Sequence, residues 1–203
     1  MKTMKQISSG AEASIFLDKG SIVKQRLQKS YRIPEIDETL RNQRTKKEAK
    51  IMNDLSKIIP VPKLLSIDQK NHSLIMQNIE GTQLKQVLDN RPELAKLAGT
   101  NLALMHDNNM IHGDLTTSNM ILAHEDRENR LYFIDFGLSF NSSRVEDKAV
   151  DIHLFKQALE SKHFRVNDLA YKHFLKGYTP KDREEILRRL ETVESRGRYK
   201  EKF

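Results

Sequence analysis

The stretch "MIHGDLTTSNMIL" (110–122), followed by "LYFIDFGLS" (131–139), constrains this chain more than any other feature. Two apolar runs, "NMIL" and "LYFI", flank the polar turn "HEDRENR", so they read as the strands of a β-hairpin. A polar loop enters that hairpin and Asp135 leaves it, which predicts Asp114, Asn119 and Asp135 at one rim. A carboxylate and an amide set between apolar flanks are costly to desolvate unless something is bound there.

Phosphoryl transfer is a chemistry that wants such a set. It asks little covalent work of a protein. It needs Mg2+ to neutralise phosphate charge and a group to orient the attacking oxygen. Mg2+ prefers hard oxygen ligands and few protein contacts, which suits Asn119 and Asp135 as metal ligands. Asp114, five residues before Asn119, is placed to accept a hydrogen bond from the nucleophile. Each residue alone has a plainer reading: Asn119 as a turn residue, Asp135 as a strand-end cap, His112 as a satisfied core histidine. The combination is specific: H-x-D-x-x-x-x-N, a hairpin, then Asp-Phe-Gly 21 residues after the first Asp.

The rest of the chain sets bounds. Its 203 residues are 37% hydrophobic and 31% charged, a globular profile with room for one or two small domains. There are no cysteines, which excludes disulfides and thiolate metal sites. The N-terminus lacks the apolar core of a signal peptide and no run is long enough to span a bilayer, so a cytoplasmic protein without a membrane partner is expected. The net charge of +7 favours anionic partners such as nucleotides or RNA. "RNQRTKKEAK" and the tail "RGRYK" carry much of it.

"ASIFLDKGSIVKQRL" reads as a hairpin turning at Asp18-Lys19-Gly20. The upstream "SSGAEA", with Ser9, Gly10 and Ala11, is a small-residue loop that would let backbone N–H groups approach phosphate, or a plain turn. Lys24 lies within the second strand, where a lysine is ordinarily exposed unless a carboxylate meets it. After Pro34, "EIDETLRNQRTKKEAKIMNDLSK" predicts a long helix with Leu40, Ile51, Met52 and Leu55 on an inward stripe that also carries Arg44 and Glu48. Glu48 on that stripe either pairs with Lys24 or reaches solvent past the edge of the core. "IIPVPKLLSID" reads as a connection, "SLIM" as a buried strand, "TQLKQVLDN" as a helix start, and "PELAKLAGTNLALMHDNN" as an amphipathic helix.

These motifs resemble the protein-kinase-like fold. More narrowly, "SSGAEA", "IVKQRLQKSYRIPEID", "RTKKEAKIM", "IHGDLTTSNMI", "FIDFGLS" and "VEDKAVDIHLF" resemble the small atypical kinase of the KEOPS (EKC) complex, archaeal type. The resemblance implies an α+β, reduced bilobal fold. Residues 1–80 would form an N-terminal β-sheet lobe with one long helix, and 81–203 a mainly helical C-terminal lobe. It implies ATP and Mg2+ as cofactors, Lys24 as the ATP-binding lysine and Glu48 as its helix partner. It further implies Asp114 as the catalytic aspartate, Asn119 and Asp135 as metal ligands, Ser9, Gly10 and Ala11 near the phosphates, and Met76, Gln77 and Ile79 in a hinge holding adenine. The implied role is a serine/threonine kinase or ATPase beside the synthase subunit that makes N6-threonylcarbamoyladenosine, with other KEOPS subunits and tRNA as partners. A RIO-like or aminoglycoside-type kinase and a non-catalytic RNA-binding module are the alternatives.

Two features depart from ordinary kinases. Gly113 stands where most have arginine, and only 13 residues separate Gly137 from Asp151, with no Ala-Pro-Glu. In regulated kinases that arginine meets a phosphate on the activation segment; here there is hardly a segment to meet. Asp151 reads as a helix N-cap or, by resemblance, as a tie to the catalytic loop. Ser142 and Ser143 read as a solvated turn or as phosphorylation sites.

Overall fold

A computed structural model describes residues 4–10, 12–125 and 128–198. The chain divides into two units, Met1–Lys57 with Val61–Ile79, and Ile58–Pro60 with Glu80–Phe203.

The first unit is an antiparallel sheet with one long helix. Strands β1 (Lys5–Ser9), β2 (Ser14–Asp18), β3 (Ser21–Gln25), β4 (Leu64–Asp68) and β5 (Ser73–Gln77) lie in the order β1-β2-β3-β5-β4. The β2–β3 hairpin turns through Lys19 (φ 47) and Gly20 (φ 81). Positive φ at both central residues is the turn whose twist matches that of the strands, so "DKG" acts as the sequence suggested. Ser8 and Ser9 belong to β1, so the small-residue loop begins at Gly10 rather than at the serines. Ala11 lies outside the described residues. "KLLSID", expected within a connection, instead supplies β4, which pairs with β5 at the sheet edge.

Helix α1 spans Pro34–Leu55 and packs on β4 and β5. Pro34 opens it rather than preceding it, because a proline in the first turn gives up an N–H that has no helical partner anyway. Its buried residues are Asp37, Thr45, Glu48, Ala49, Ile51, Met52 and Leu55. Leu40 and Arg44, expected on this face, are only half-buried, and Arg44 pairs with Glu12. The inward stripe is therefore more polar than expected. Asp37 explains why: its fully buried carboxylate accepts from the Lys29 N–H (3.4 Å), Arg32 (3.5 Å) and Arg41 (2.6 Å). Burial pushes that carboxyl up, but the Arg41 and Lys29 hydrogen bonds and the neighbouring guanidinium charges outweigh it, and the group lies below its ordinary value.

The second unit contains strands β6 (Thr82–Gln83), β7 (Met110–Ile111), β8 (Met120–Glu125), β9 (Glu128–Phe133) and β10 (Phe140–Asn141). Its helices are α2 (Leu84–Val87), α3 (Ala95–Asp107), α4 (Val145–Lys162), α5 (Asn167–Gly177) and α6 (Arg183–Arg198). "TQLKQVLDN" yields only the four-residue α2, because Thr82 and Gln83 pair with β8 first. The β8–β9 hairpin forms as predicted, in register from Met120↔Phe133 to Glu125↔Glu128. Helix α3 packs on α5 and α4 on α6, around Phe133, Phe136, Phe155, Phe174 and Tyr178, all fully buried. Each such side chain contributes on the order of 2–3 kcal/mol of apolar burial. Among the described residues no helix is long and apolar enough to cross a membrane.

Candidate active site

Between strand β7 (Met110–Ile111) and the turn at Thr117–Asn119 the backbone is irregular and is held by hydrogen bonds. Asn119 ends a single 3-10 turn, Thr117–Asn119, and its Nδ2 donates to both the backbone carbonyl and Oδ2 of Asp114, each at 2.9 Å. The two residues singled out by the H-x-D-x-x-x-x-N spacing are thus in direct contact. Because Nδ2 is spent on Asp114, Oδ1 is the group Asn119 has left to offer. The Ile134 N–H donates to the Asn119 carbonyl (3.0 Å), which sets Asp135 one residue along from Asn119's neighbour. Asp135 is exposed, at φ 65, with Oδ1 accepting from the Gly137 N–H at 3.3 Å. An amide oxygen and a carboxylate are hard donors of the kind Mg2+ takes.

Asp151 settles its two readings. It is the seventh residue of α4, not a cap. Its fully buried carboxylate accepts the His112 N–H (2.7 Å) and the Gly113 N–H (2.8 Å), so it holds the loop by its backbone. His106 Nε2 also lies 3.3 Å from the same carboxylate, and its Nδ1 2.7 Å from the Tyr178 hydroxyl. His112 is a core histidine as expected, but it is satisfied on Nδ1 only, its Nε2 being buried without a hydrogen bond of ordinary geometry among the described residues. It is fully buried, packs on the rings of Phe133 and Phe136, and its Nδ1 accepts from the Asp114 N–H at 3.3 Å.

Gly113 has a steric reason to be glycine, beyond the lack of an activation segment. Its φ is +79, and a Cβ there would stand 2.6 Å from the Leu138 carbonyl oxygen. Substitution Gly113→Ala is expected to cost about 1–3 kcal/mol, read as a drop in the urea unfolding midpoint. A variant as stable as the parent would show that this backbone relaxes freely.

Burial is the main reason His112 and His106 lie below 6.5, against the pull of Asp151, and it does the same to His72. A histidine held neutral in the folded chain takes up a proton only on unfolding. Its contribution to stability is therefore complete above 6.5 and lost as pH falls below it. The urea midpoint should fall between pH 7.5 and pH 5.5; one that rises would contradict the burial argument.

In the first unit, Lys24 Nζ meets Glu48 Oε1 at 2.7 Å, and both side chains are buried. The pairing reading of Glu48 is the observed one. Arg26, which sequence reasoning missed, places Nη2 2.5 Å from the other oxygen, Oε2, and is itself buried. Its signal was present: Lys24 and Arg26 are two apart on an extended run, and i, i+2 residues share a face. Met76 and Ile79 are buried and Gln77 is exposed. The Gln77 N–H donates to the Lys63 carbonyl (2.9 Å), and its side-chain Oε1 accepts from the Lys63 N–H (3.2 Å). Ser9 Oγ lies 3.2 Å from Ser14 Oγ, and the Gly10 N–H donates to the Ala13 carbonyl at 3.0 Å.

Comparison with known proteins gives the family. The model of the RIO domain matches residues 17–152. The chain is 40% identical to the KEOPS complex subunit Bud32 of Pyrococcus abyssi, over 98% of either protein. The chain belongs to the Bud32 family of RIO-domain proteins. The EKC/KEOPS complex subunit BUD32 of Encephalitozoon cuniculi is also 40% identical, over 95% of this chain and 94% of that one. A bifunctional tRNA threonylcarbamoyladenosine biosynthesis protein of Methanobrevibacter smithii is 40% identical over 95% of this chain, which spans only 36% of its length. Among solved structures, the Rio2 kinase of Chaetomium thermophilum superposes with a TM-score of 0.64 at 16% identity, covering 98% of this chain and 72% of that one. Its ADP/Mg2+-phosphoaspartate complex gives 0.61 at 15% identity over 98% of this chain and 71% of that one. The kinase-like α+β fold expected from the motifs is the fold observed.

Proposed function

We propose that this chain is an Mg-ATP-dependent atypical serine/threonine kinase or ATPase that supports N6-threonylcarbamoyladenosine formation on tRNA as a KEOPS subunit. The observation that carries this reading is the hydrogen-bonded Asp114–Asn119 pair on a loop held by Asp151, in a chain that matches a KEOPS subunit along nearly its whole length. The Rio2 complex with ADP and Mg2+ supports both cofactors.

In this reading residues 1–80 serve the nucleotide and 81–203 the chemistry. Lys24, steadied by Glu48, contacts nucleotide phosphates; Ser9, Gly10 and Ala11 are assigned to the loop near them, where the Gly10 N–H is given to the Ala13 carbonyl. Met76, Gln77 and Ile79 hold the base. The Gln77 N–H is taken by Lys63, so its carbonyl is the backbone group it has to give. Asn119 Oδ1 and the Asp135 carboxylate would hold Mg2+, which when bound would supply charge neutralisation on the phosphate oxygens. Asp114 accepts a hydrogen bond from the attacking hydroxyl or water and orients it. Asp151 keeps Asp114 in place by fixing the two preceding N–H groups. The partners are the threonylcarbamoyl-transferase subunit, other KEOPS subunits and, through them, tRNA; the setting is cytoplasmic, which a cysteine-free chain suits.

Phosphate release from ATP, measured on the chain alone and then with the transferase partner and tRNA, tests this. Stimulation by the pair is the expected outcome. Turnover that ignores both would favour a RIO-like or small-molecule kinase instead.

A further inference from the structure

Thr117 stands at the head of the turn that carries Asn119, and its side chain is 1% exposed. Its Oγ1 lies 3.0 Å from Nε2 of His163, which is likewise 1% exposed. The other ring nitrogen, Nδ1, lies 2.6 Å from Oδ1 of Asp89, whose side chain is 55% exposed. Three residues from distant parts of the second unit thus form one hydrogen-bonded line from the surface to the loop.

We propose that Asp89, His163 and Thr117 are a relay of positioning residues that fixes the turn presenting Asn119. This rests on Asn119 and Asp135 being the Mg2+ ligands of the proposed function.

The direction of each bond follows from what its ends can do. An ionised carboxylate only accepts, so Nδ1 carries the imidazole proton toward Asp89. In the neutral ring Nε2 is then a lone pair, to which the Thr117 hydroxyl donates. The hydroxyl loses its freedom to rotate, and the turn is held against a buried ring. An Asp–His–hydroxyl line is also how enzymes activate a nucleophile. Here the hydroxyl is enclosed by protein and no substrate atom can reach it, so the line positions rather than attacks.

The turn has other ties: Gln83 Nε2 donates to the Ser118 carbonyl (3.1 Å), and the Asn119 N–H to the Thr116 carbonyl (3.0 Å). His163 adds a different kind of anchor. It follows the last residue of α4, and its own N–H donates to the Leu159 carbonyl at 2.7 Å. Helix α4 therefore grips the loop twice, by Asp151 at residues 112 and 113 and by His163 at residue 117. Second-layer partners of this kind typically hold 10–100-fold of metal affinity.

The test uses the full chain and two readouts, neither of them turnover. Nitrogen-15 spectra of the imidazoles should show His163 as the Nδ1–H tautomer; an Nε2–H tautomer would overturn the relay. Calorimetric titration of ADP, with and without Mg2+, gives the gain in affinity that Mg2+ confers. Thr117→Val should shrink that gain by about tenfold, with Mg-free binding unchanged, and Thr117→Ser should restore it. A folded Thr117→Val variant with the full gain would refute the proposal. Asp89→Ala, at an exposed position that leaves folding intact, should let His163 sample both tautomers and reduce the gain as well; an unchanged tautomer there also counts against the relay. If the parent chain shows no Mg-dependent gain, it is the metal assignment that fails, while the tautomer still decides whether the relay exists.

Discussion

Asp114→Asn is expected to lower ATP turnover by about 10²- to 10⁴-fold, the range a positioned acid–base group supplies, with little change in stability. The carboxamide keeps an oxygen where Oδ2 accepts from Asn119 Nδ2, so the loop geometry survives. What disappears, on the proposed function, is the anionic acceptor for the nucleophile's proton. Asp135→Asn should be as damaging for another reason. Asn tolerates the φ of 65 at that position, but it replaces the charged ligand of the proposed Mg2+ site with a neutral one. Turnover measured by phosphate release, beside urea unfolding of each variant, separates chemistry from folding. If both variants keep parental turnover, these carboxylates do not carry the reaction.

Glu48→Ala should be the most destabilising single change in the first unit. The carboxylate lies between Lys24 at 2.7 Å and Arg26 at 2.5 Å, with all three side chains at most 7% exposed. Removing it takes the carboxylate partner from buried Arg26 and one partner from Lys24. Breaking a buried pair from one side costs roughly 3–5 kcal/mol, because the surviving charge has no water to turn to. Arg26, at 2.5 Å and 3% exposed, is the cation that bears most of this loss. Urea unfolding of parent and variant checks it, and a loss below about 1 kcal/mol would mean that water reaches the pair. Glu48→Gln, which keeps one acceptor oxygen, should fall between the two.

Much of this site was legible in the sequence because its signals are local. The contact between Asp114 and Asn119 follows from five residues of loop, and the hairpin that ends at Asp135 from two apolar runs around a polar turn. The Lys19–Gly20 turn was announced by its own residue types. What escaped was set by distant chain. Strand β1 is exposed along its whole length and β4 nearly so, with no alternation for a pattern to catch; pairing with β2 and β5 makes them strands. Asp37 reads as a surface residue of a helix until the loop before it folds back to supply the Lys29 N–H and the Arg32 guanidinium, beside Arg41 one turn along the helix. Asp151 could be a cap or a tie until the backbone of residues 112 and 113 is seen to end on it. His163 lies 46 residues from Thr117 and 74 from Asp89, and nothing near it in sequence hints at either.

The segment after Gly137 has a consequence for timing. The Ser139 hydroxyl donates to the His112 carbonyl (2.7 Å), Phe140 and Asn141 pair with Ile111 and Met110, and the Ser142 N–H donates to the Asn109 carbonyl (2.8 Å). Ser142 Oγ then donates to Asp147 at 2.6 Å, at the start of α4. Each such bond contributes about 1 kcal/mol net, so lifting the segment away from residues 109–112 is a rare event, close to local unfolding. Its amides should exchange with solvent as slowly as those of the hairpin beside them. Where regulated kinases wait for this stretch to rearrange, here it is set once, when the chain folds. On the proposed function, the tempo of turnover then belongs to whatever arrives and leaves: nucleotide, acceptor and partner.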